Sequence, residues 1–247
     1  ENTTEINLNN YTSYDKLSGT IPPEIGLLTN LTRLDLKGNH VSGDIPPEIC
    51  HLTDLTFLDL SWNQMTDIPP EIGNLTSLEE LDLNNGILGP HTGMAIPREI
   101  GLLTNLRVLG LAYNELGCYE YDFTKGWRND NCIGHCDDTD ECSAEIPPEI
   151  GNLINLEKLF LMDNHFSGEI PSTIGNLVNL RALGLRTNDL SGSIPPEIGN
   201  LNKVHVMSMH YNQLTGPIPS TIGNMQNLGV WHPEYYNPNF DTDFWPA

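Results

Sequence analysis

The chain has 247 residues, with 11 Lys and Arg against 33 Asp and Glu and a net charge of −22. Such a surface repels nucleic acid and anionic membrane, and it attracts basic partners or divalent cations. No apolar run approaches the ~20 residues that cross a bilayer, so no direct membrane insertion is expected.

The chain opens on the polar residues Glu1 to Thr4 and carries no secretory leader, as a processed or excised segment would. From Ile6 onward one phrase recurs every 24 residues: L-x-x-L-x-L-x-x-N-x-L-S-G-x-I-P-x-x-I-G-x-L. Complete copies begin at Leu31, Leu55, Leu78, Leu106, Leu156, Leu180 and Val204. A partial copy (Ile6, Leu8, Leu17, Ile21) precedes them, and another (Leu228 to Trp231) follows. A fixed period of this length predicts one supersecondary unit stacked into a solenoid. The L-x-L segment alternates apolar and polar residues, which predicts a short strand per unit and a parallel sheet across units. The I-P-P-E-I segment predicts short helical turns on the opposite side, because proline pre-sets its own φ.

Departures from the period stand out. Four extra residues fall around Tyr11 to Tyr14, one is missing near Met65 to Ile68, and four are added at Gly89 to Ala95. Twenty-six are added between Leu116 and Ile146. Loops of that length are uncommon and often functional, and in solenoids they project from one face.

Columns of equivalent residues follow. Asn39, Asn63, Asn114, Asn164, Asn188 and Asn212 predict an internal asparagine ladder that satisfies buried backbone groups, broken at Gly86. Asp35, Asp59 and Asp82 stack on neighbouring strands; repeat-position preference explains them better than a cation site does. Glu24, Glu48, Glu71, Glu99, Glu149 and Glu197 sit where each helical turn starts, the end that favours negative charge. The expected partner-binding residues are the variable concave ones: Phe57, Trp62, Tyr113, Phe160, Met162, His210 and Tyr211. Exposed aromatics of this kind are enriched where partners dock.

The segment 117–145 holds Cys118, Cys132, Cys136 and Cys142, which predicts two disulfides with three possible pairings. A zinc site with His135 is the alternative, but the spacing lacks paired C-x-x-C knuckles. Asp137, Asp138, Asp140 and Glu141 make a calcium site possible, although they do not fit the EF-hand loop. No other cofactor is expected. Cys50 occupies a slot that other units fill with glycine, which predicts a buried free thiol. Sequons at Asn2, Asn10, Asn30 and Asn74, together with the clustered cysteines, predict an extracellular or cell-surface glycoprotein. The segment 232–247 carries Tyr235, Tyr236, Phe240, Phe244 and Trp245 among prolines. It is expected to cap the last coil or to mediate assembly.

The phrase Leu190-Ser191-Gly192-Ser193-Ile194-Pro195 resembles the plant-specific class of leucine-rich repeat. That class includes receptor-kinase ectodomains and polygalacturonase-inhibiting proteins. The resemblance implies an α/β solenoid with a parallel sheet on its concave face. It also implies a non-catalytic role in binding proteins, peptides or glycans through that face and its edges. The chain lacks the paired-cysteine caps of many members, since no cysteine precedes Cys50 or follows Cys142. No nucleophile elbow, phosphate loop or dinucleotide fingerprint is present. Two functions therefore lead. One is an extracellular recognition module using the concave face and the 117–145 loop. The other is a structural subunit assembling head-to-tail into a homo-oligomer or filament, with calcium assistance.

Overall fold

A computed structural model describes residues 3–10, 15–88, 96–117 and 145–229, and the backbone of 120–122 and 127–129. Each unit contributes one three-residue strand: β1 (Glu5–Asn7), β2 (Arg33–Asp35), β3 (Phe57–Asp59), β4 (Glu80–Asp82), β5 (Val108–Gly110), β6 (Lys158–Phe160), β7 (Ala182–Gly184) and β8 (Val206–Ser208). They form one parallel sheet in chain order. The register holds through the 26-residue addition, since Leu109 still pairs with Leu159. The strands start one residue before the L-x-L segment, so each is centred on that segment's first apolar residue: Ile6 in β1, Met207 in β8 and a leucine in the other six. Leu34, Leu58, Leu81, Leu109, Leu159 and Leu183 are all fully buried.

The opposite side is a stack of five-residue 3-10 turns, such as Pro47–His51 and Pro196–Asn200. Each is preceded by a proline in extended conformation, for example Pro46 at φ −65° and ψ 133°. Each closes with a leucine or methionine N–H returning to the isoleucine carbonyl, as in Leu52 to Ile49. The glutamate column falls in the first turn of these elements, as expected. Between the two walls lies one continuous core of leucine and isoleucine. Its driving force is burial of apolar area, roughly 25 cal/mol per Å².

The asparagine ladder closes the turn after each strand. Asn63 donates from Nδ2 to the carbonyls of Leu60 (3.1 Å) and Leu36 (2.9 Å) and accepts from the Val41 N–H (3.0 Å). Asn114, Asn164, Asn188 and Asn212 repeat this pattern. Every rung thus ties its own coil to the one before it. Gly86 leaves one rung empty. Cys50 is buried as expected, and its thiol is pushed up to about 12 by burial and by the Glu71 charge. An inert structural cysteine has this environment.

Within the long addition, Glu120–Asp122 pairs antiparallel with Trp127–Asn129. The addition therefore carries a small ribbon of its own, which the sequence pattern did not predict. Among the described residues, no helix is long and apolar enough to cross a membrane.

Candidate functional site on the concave sheet

The residues flanking each central leucine point away from the core and pave the concave face. Stacking in register turns each repeat position into a column. The outcome is a face in two chemical halves, joined at β5.

The N-terminal half is polar. Asp35, Asp59 and Asp82 pair in register on β2, β3 and β4, and all three are buried. Each accepts a hydrogen bond from the backbone N–H two residues on: Lys37 (3.3 Å), Ser61 (2.9 Å) and Asn84 (3.0 Å). Arg33 and Asn9 add bonds to Asp35 at 3.1 and 3.2 Å, and Lys37 lies 3.7 Å from Asp59. This local role explains the column. Among the described residues, no group of three His, Cys, Asp or Glu side chains could hold a metal ion. Burial, then the neighbouring Asp59 charge, pushes the Asp82 carboxyl up to about 7. Burial also raises Asp59 and Glu80.

The C-terminal half is apolar. Ala112, Phe160, Met162 and Ala182 form a second cluster on the outer side of the sheet, with Tyr113 packed against it. Phe160 is 8% exposed and Met162 only 2%. The expectation that these two are exposed binding residues is thereby corrected; they form a floor. Glycine at neighbouring register positions makes the burial possible. A Cβ on Gly184 would stand 2.8 Å from the Met162 Sδ, so glycine there leaves room for that side chain to lie flat. At the junction, a Cβ on Gly110 would stand 2.4 Å from the Asn84 Nδ2.

A rim of larger side chains borders both halves. The residue before each ladder position, Gly86 included, is left-handed, with φ between 53° and 58° at Trp62, Asn85, Tyr113, Asp163, Thr187 and Tyr211. Bulky residues disfavour this region, while Gly38 takes the same slot without strain. Trp62 is 37% exposed and Tyr211 76%. His210 is exposed and meets the Tyr211 ring edge-on at 5.0 Å. Tyr113 is half-buried and accepts a 2.7 Å bond from Arg186, which also pairs with Asp163 at 3.2 Å. Burial, then the Asp163 charge, pushes the Tyr113 phenol up to about 12. Phe57 is half-buried beneath the Arg33 guanidinium, 3.4 Å from its ring centroid.

One feature escaped the sequence reading. Glu79, Arg107, Glu157 and Arg181 stack along the strand-start edge and line a groove of about 480 Å³ with Asn105, Asn155 and Asn179. Glu157 receives Arg107 at 2.7 Å and Arg181 at 3.3 Å. The alternation of sign in this column was the available signal.

Other expected sites lie outside the described residues: Cys118, Cys132, Cys136, Cys142, Asp137, Asp138, Asp140, Glu141, Asn2, Tyr235, Tyr236, Phe240, Phe244 and Trp245. Of the remaining sequons, Asn30 and Asn74 are exposed, while the Asn10 amide donates to the Asp15 carbonyl at 2.7 Å.

The repeat architecture and the paved concave face are those of leucine-rich-repeat proteins. The leucine-rich repeat region family matches residues 10–125, and the Leucine Rich Repeat family matches 155–177, 179–201 and 203–225. The chain belongs to the leucine-rich-repeat proteins, and its structural neighbours include plant receptor-kinase ectodomains. It is similar to the ectodomain of GASSHO1/SCHENGEN3 from Arabidopsis thaliana, solved in complex with CASPARIAN STRIP INTEGRITY FACTOR 2. Identity is 34% and the TM-score 0.74, over 91% of this chain and 23% of that one. The Arabidopsis receptor kinase HAESA, solved with the peptide hormone IDA and the co-receptor SERK1, matches at 31% identity and TM-score 0.71. That match covers 87% of this chain and 32% of HAESA. A leucine-rich-repeat protein of Leptospira interrogans matches at 31% identity and TM-score 0.66, over 91% and 47% of the two chains. This chain thus spans less than half the length of each of these structures. No curated protein matches it.

Proposed function

We propose that this chain is a non-catalytic, extracellular recognition module that binds an extended peptide or protein segment across its concave sheet. The observation that carries this reading is the left-handed rim. Trp62 and Tyr211 occupy a backbone conformation that costs a bulky residue on the order of 1 kcal/mol or more. The fold itself needs nothing there beyond glycine, as Gly38 demonstrates. Strained, exposed aromatics above a flat floor suit anchoring of a partner's side chains. The two halves of the face then divide the work. The Asp59–Asp82 half favours basic or hydrogen-bonding residues, and the Phe160–Met162 half supports apolar ones. Neighbours solved with peptide hormones support a peptide over a glycan.

A display library of extended peptides, selected on the intact chain, tests the assignment. Selected peptides should lose about tenfold or more in affinity on Trp62→Ala or Tyr211→Ala, with the melting temperature held within a few degrees. Undiminished binding by both variants would remove the concave rim from the function.

The extracellular assignment makes its own prediction. Expressed through a eukaryotic secretory pathway, the chain should carry glycans at Asn30 and Asn74, seen as mass released by a glycosidase. Asn30→Gln with Asn74→Gln should remove that mass shift, whereas an unmodified secreted chain would contradict the glycoprotein reading.

A further inference from the structure

The groove at the strand-start edge is built on a repeat position that the fold fills with threonine elsewhere. Thr32 and Thr56 hold this position ahead of β2 and β3, and each hydroxyl donates to a carbonyl of the preceding coil at 3.0 Å. The next four coils carry Glu79, Arg107, Glu157 and Arg181 instead. The Arg107 side chain is 55% exposed, and ion pairs so open to solvent add little stability. Stacking of the coils does not account for this column.

Glu157 holds the two guanidiniums in place. Its Oε1 accepts from the Arg107 Nε and Nη2 at 3.0 and 2.7 Å, and its Oε2 faces the Arg181 Nε at 3.3 Å. A second asparagine ladder lines the groove beside them. Asn105, Asn155 and Asn179 donate from Nδ2 to the carbonyls of Thr76, Thr104 and Ile154, at 2.8, 2.9 and 2.9 Å. Each amide is thereby oriented with Oδ1 as an acceptor, and that of Asn179 takes the Lys203 ammonium at 2.7 Å. Donors and acceptors are in place before a ligand arrives, which lowers the entropic cost of binding.

The lining sets the ligand chemistry. All seven side chains are charged or amide, whereas pockets for apolar small molecules are lined mostly by hydrophobic groups. Two carboxylates balance two guanidiniums, so the groove is neutral within a chain of net charge −22. It favours neither a polycation nor a polyanion. It runs across coils spaced ~4.8 Å apart, while an extended peptide repeats every ~6.6 Å along one side and falls out of step. A saccharide carries hydroxyls on most of its ring carbons, each both donor and acceptor. It can meet guanidinium, carboxylate and amide in turn without a fixed repeat. Its C–H faces need an apolar shelf. Ile154 and Val178, exposed at 53% and 47%, directly precede Asn155 and Asn179 and supply one.

We infer that this groove is a second binding site, for a neutral oligosaccharide laid across the coils of β4 to β7. It is separate from the concave rim, does not rest on the reading of that rim, and leaves the peptide to that face.

The intact chain, incubated on an array of neutral and uronic-acid oligosaccharides, tests this. Neutral ones should be retained. Calorimetric titration with the best-retained neutral one should show affinity reduced about tenfold or more by Arg107→Ala and by Glu157→Ala. Arg107 is exposed, so its loss should leave the fold and its circular dichroism unchanged. Ile154→Asn should also weaken binding, and the fold accepts asparagine there because Asn202 holds that repeat position two coils on. Tyr211→Ala should leave saccharide binding intact even where it abolishes peptide binding. Retention of no neutral oligosaccharide, retention of uronic-acid ones alone, or an affinity that both Arg107→Ala and Glu157→Ala leave unchanged would overturn the inference. So would loss through Tyr211→Ala alone, which would put the saccharide on the concave face.

Discussion

Asn164→Ala should lower the unfolding free energy by about 3 kcal/mol in a denaturant titration. The residue is buried, and its Nδ2 serves the carbonyls of Leu111 (2.8 Å) and Leu161 (3.1 Å). Its Oδ1 accepts from the Leu116 N–H at 3.1 Å. Alanine would leave these groups buried without partners, and each unsatisfied group costs about 1–3 kcal/mol. The site matters more than other rungs because it joins the coils on either side of the 26-residue addition. Asn212→Ala removes an equivalent rung at the partly exposed end and should cost about 1 kcal/mol. Equal losses at the two positions would show that the ladder does not act through burial.

Asp82→Asn should make the protein more stable at pH 8, by an amount on the order of 2 kcal/mol. The folded carboxyl titrates at about 7 against an ordinary 3.8, because burial and the Asp59 charge both oppose its ionisation. Between those two values the folded state binds a proton that the unfolded state has released. Stability therefore falls as pH rises from about 4 to about 7 and levels off above that. Asp59 and Glu80 shift in the same direction and steepen the trend. Asparagine keeps an acceptor for the Asn84 N–H and removes the charge. Melting temperatures of the two proteins should converge near pH 4 and separate above neutrality. A parent protein whose stability rises over that interval would show that Asp82 is ionised and paired.

The architecture was legible in the sequence because its period is strict. Every buried leucine column, the asparagine ladder and the proline-led turns follow from repeat spacing alone. The chemistry of the concave face was only half legible. Phe160 and Met162 occupy variable positions and look exposed in the sequence, but Gly184 on the next strand lets Met162 lie flat and the cluster close. That depends on register between coils, which a single unit does not reveal. Nor does side-chain chemistry announce that Trp62, Tyr113 and Tyr211 are left-handed, since the conformation belongs to a repeat position that Asn85 and Thr187 also occupy. The Glu79–Arg107–Glu157–Arg181 edge became visible only when coils separated by 50 residues stacked side by side, as at Arg107 and Glu157.

The central claim is that the concave rim, and no other face, receives the partner. A photo-reactive amino acid placed at position 211 reports this most directly. Placed at position 102, on the exposed 3-10 side, it serves as the reference. With a selected peptide present, position 211 should form a cross-linked adduct and position 102 should not. Adducts at 102 with none at 211 would place recognition on the convex side and contradict the account.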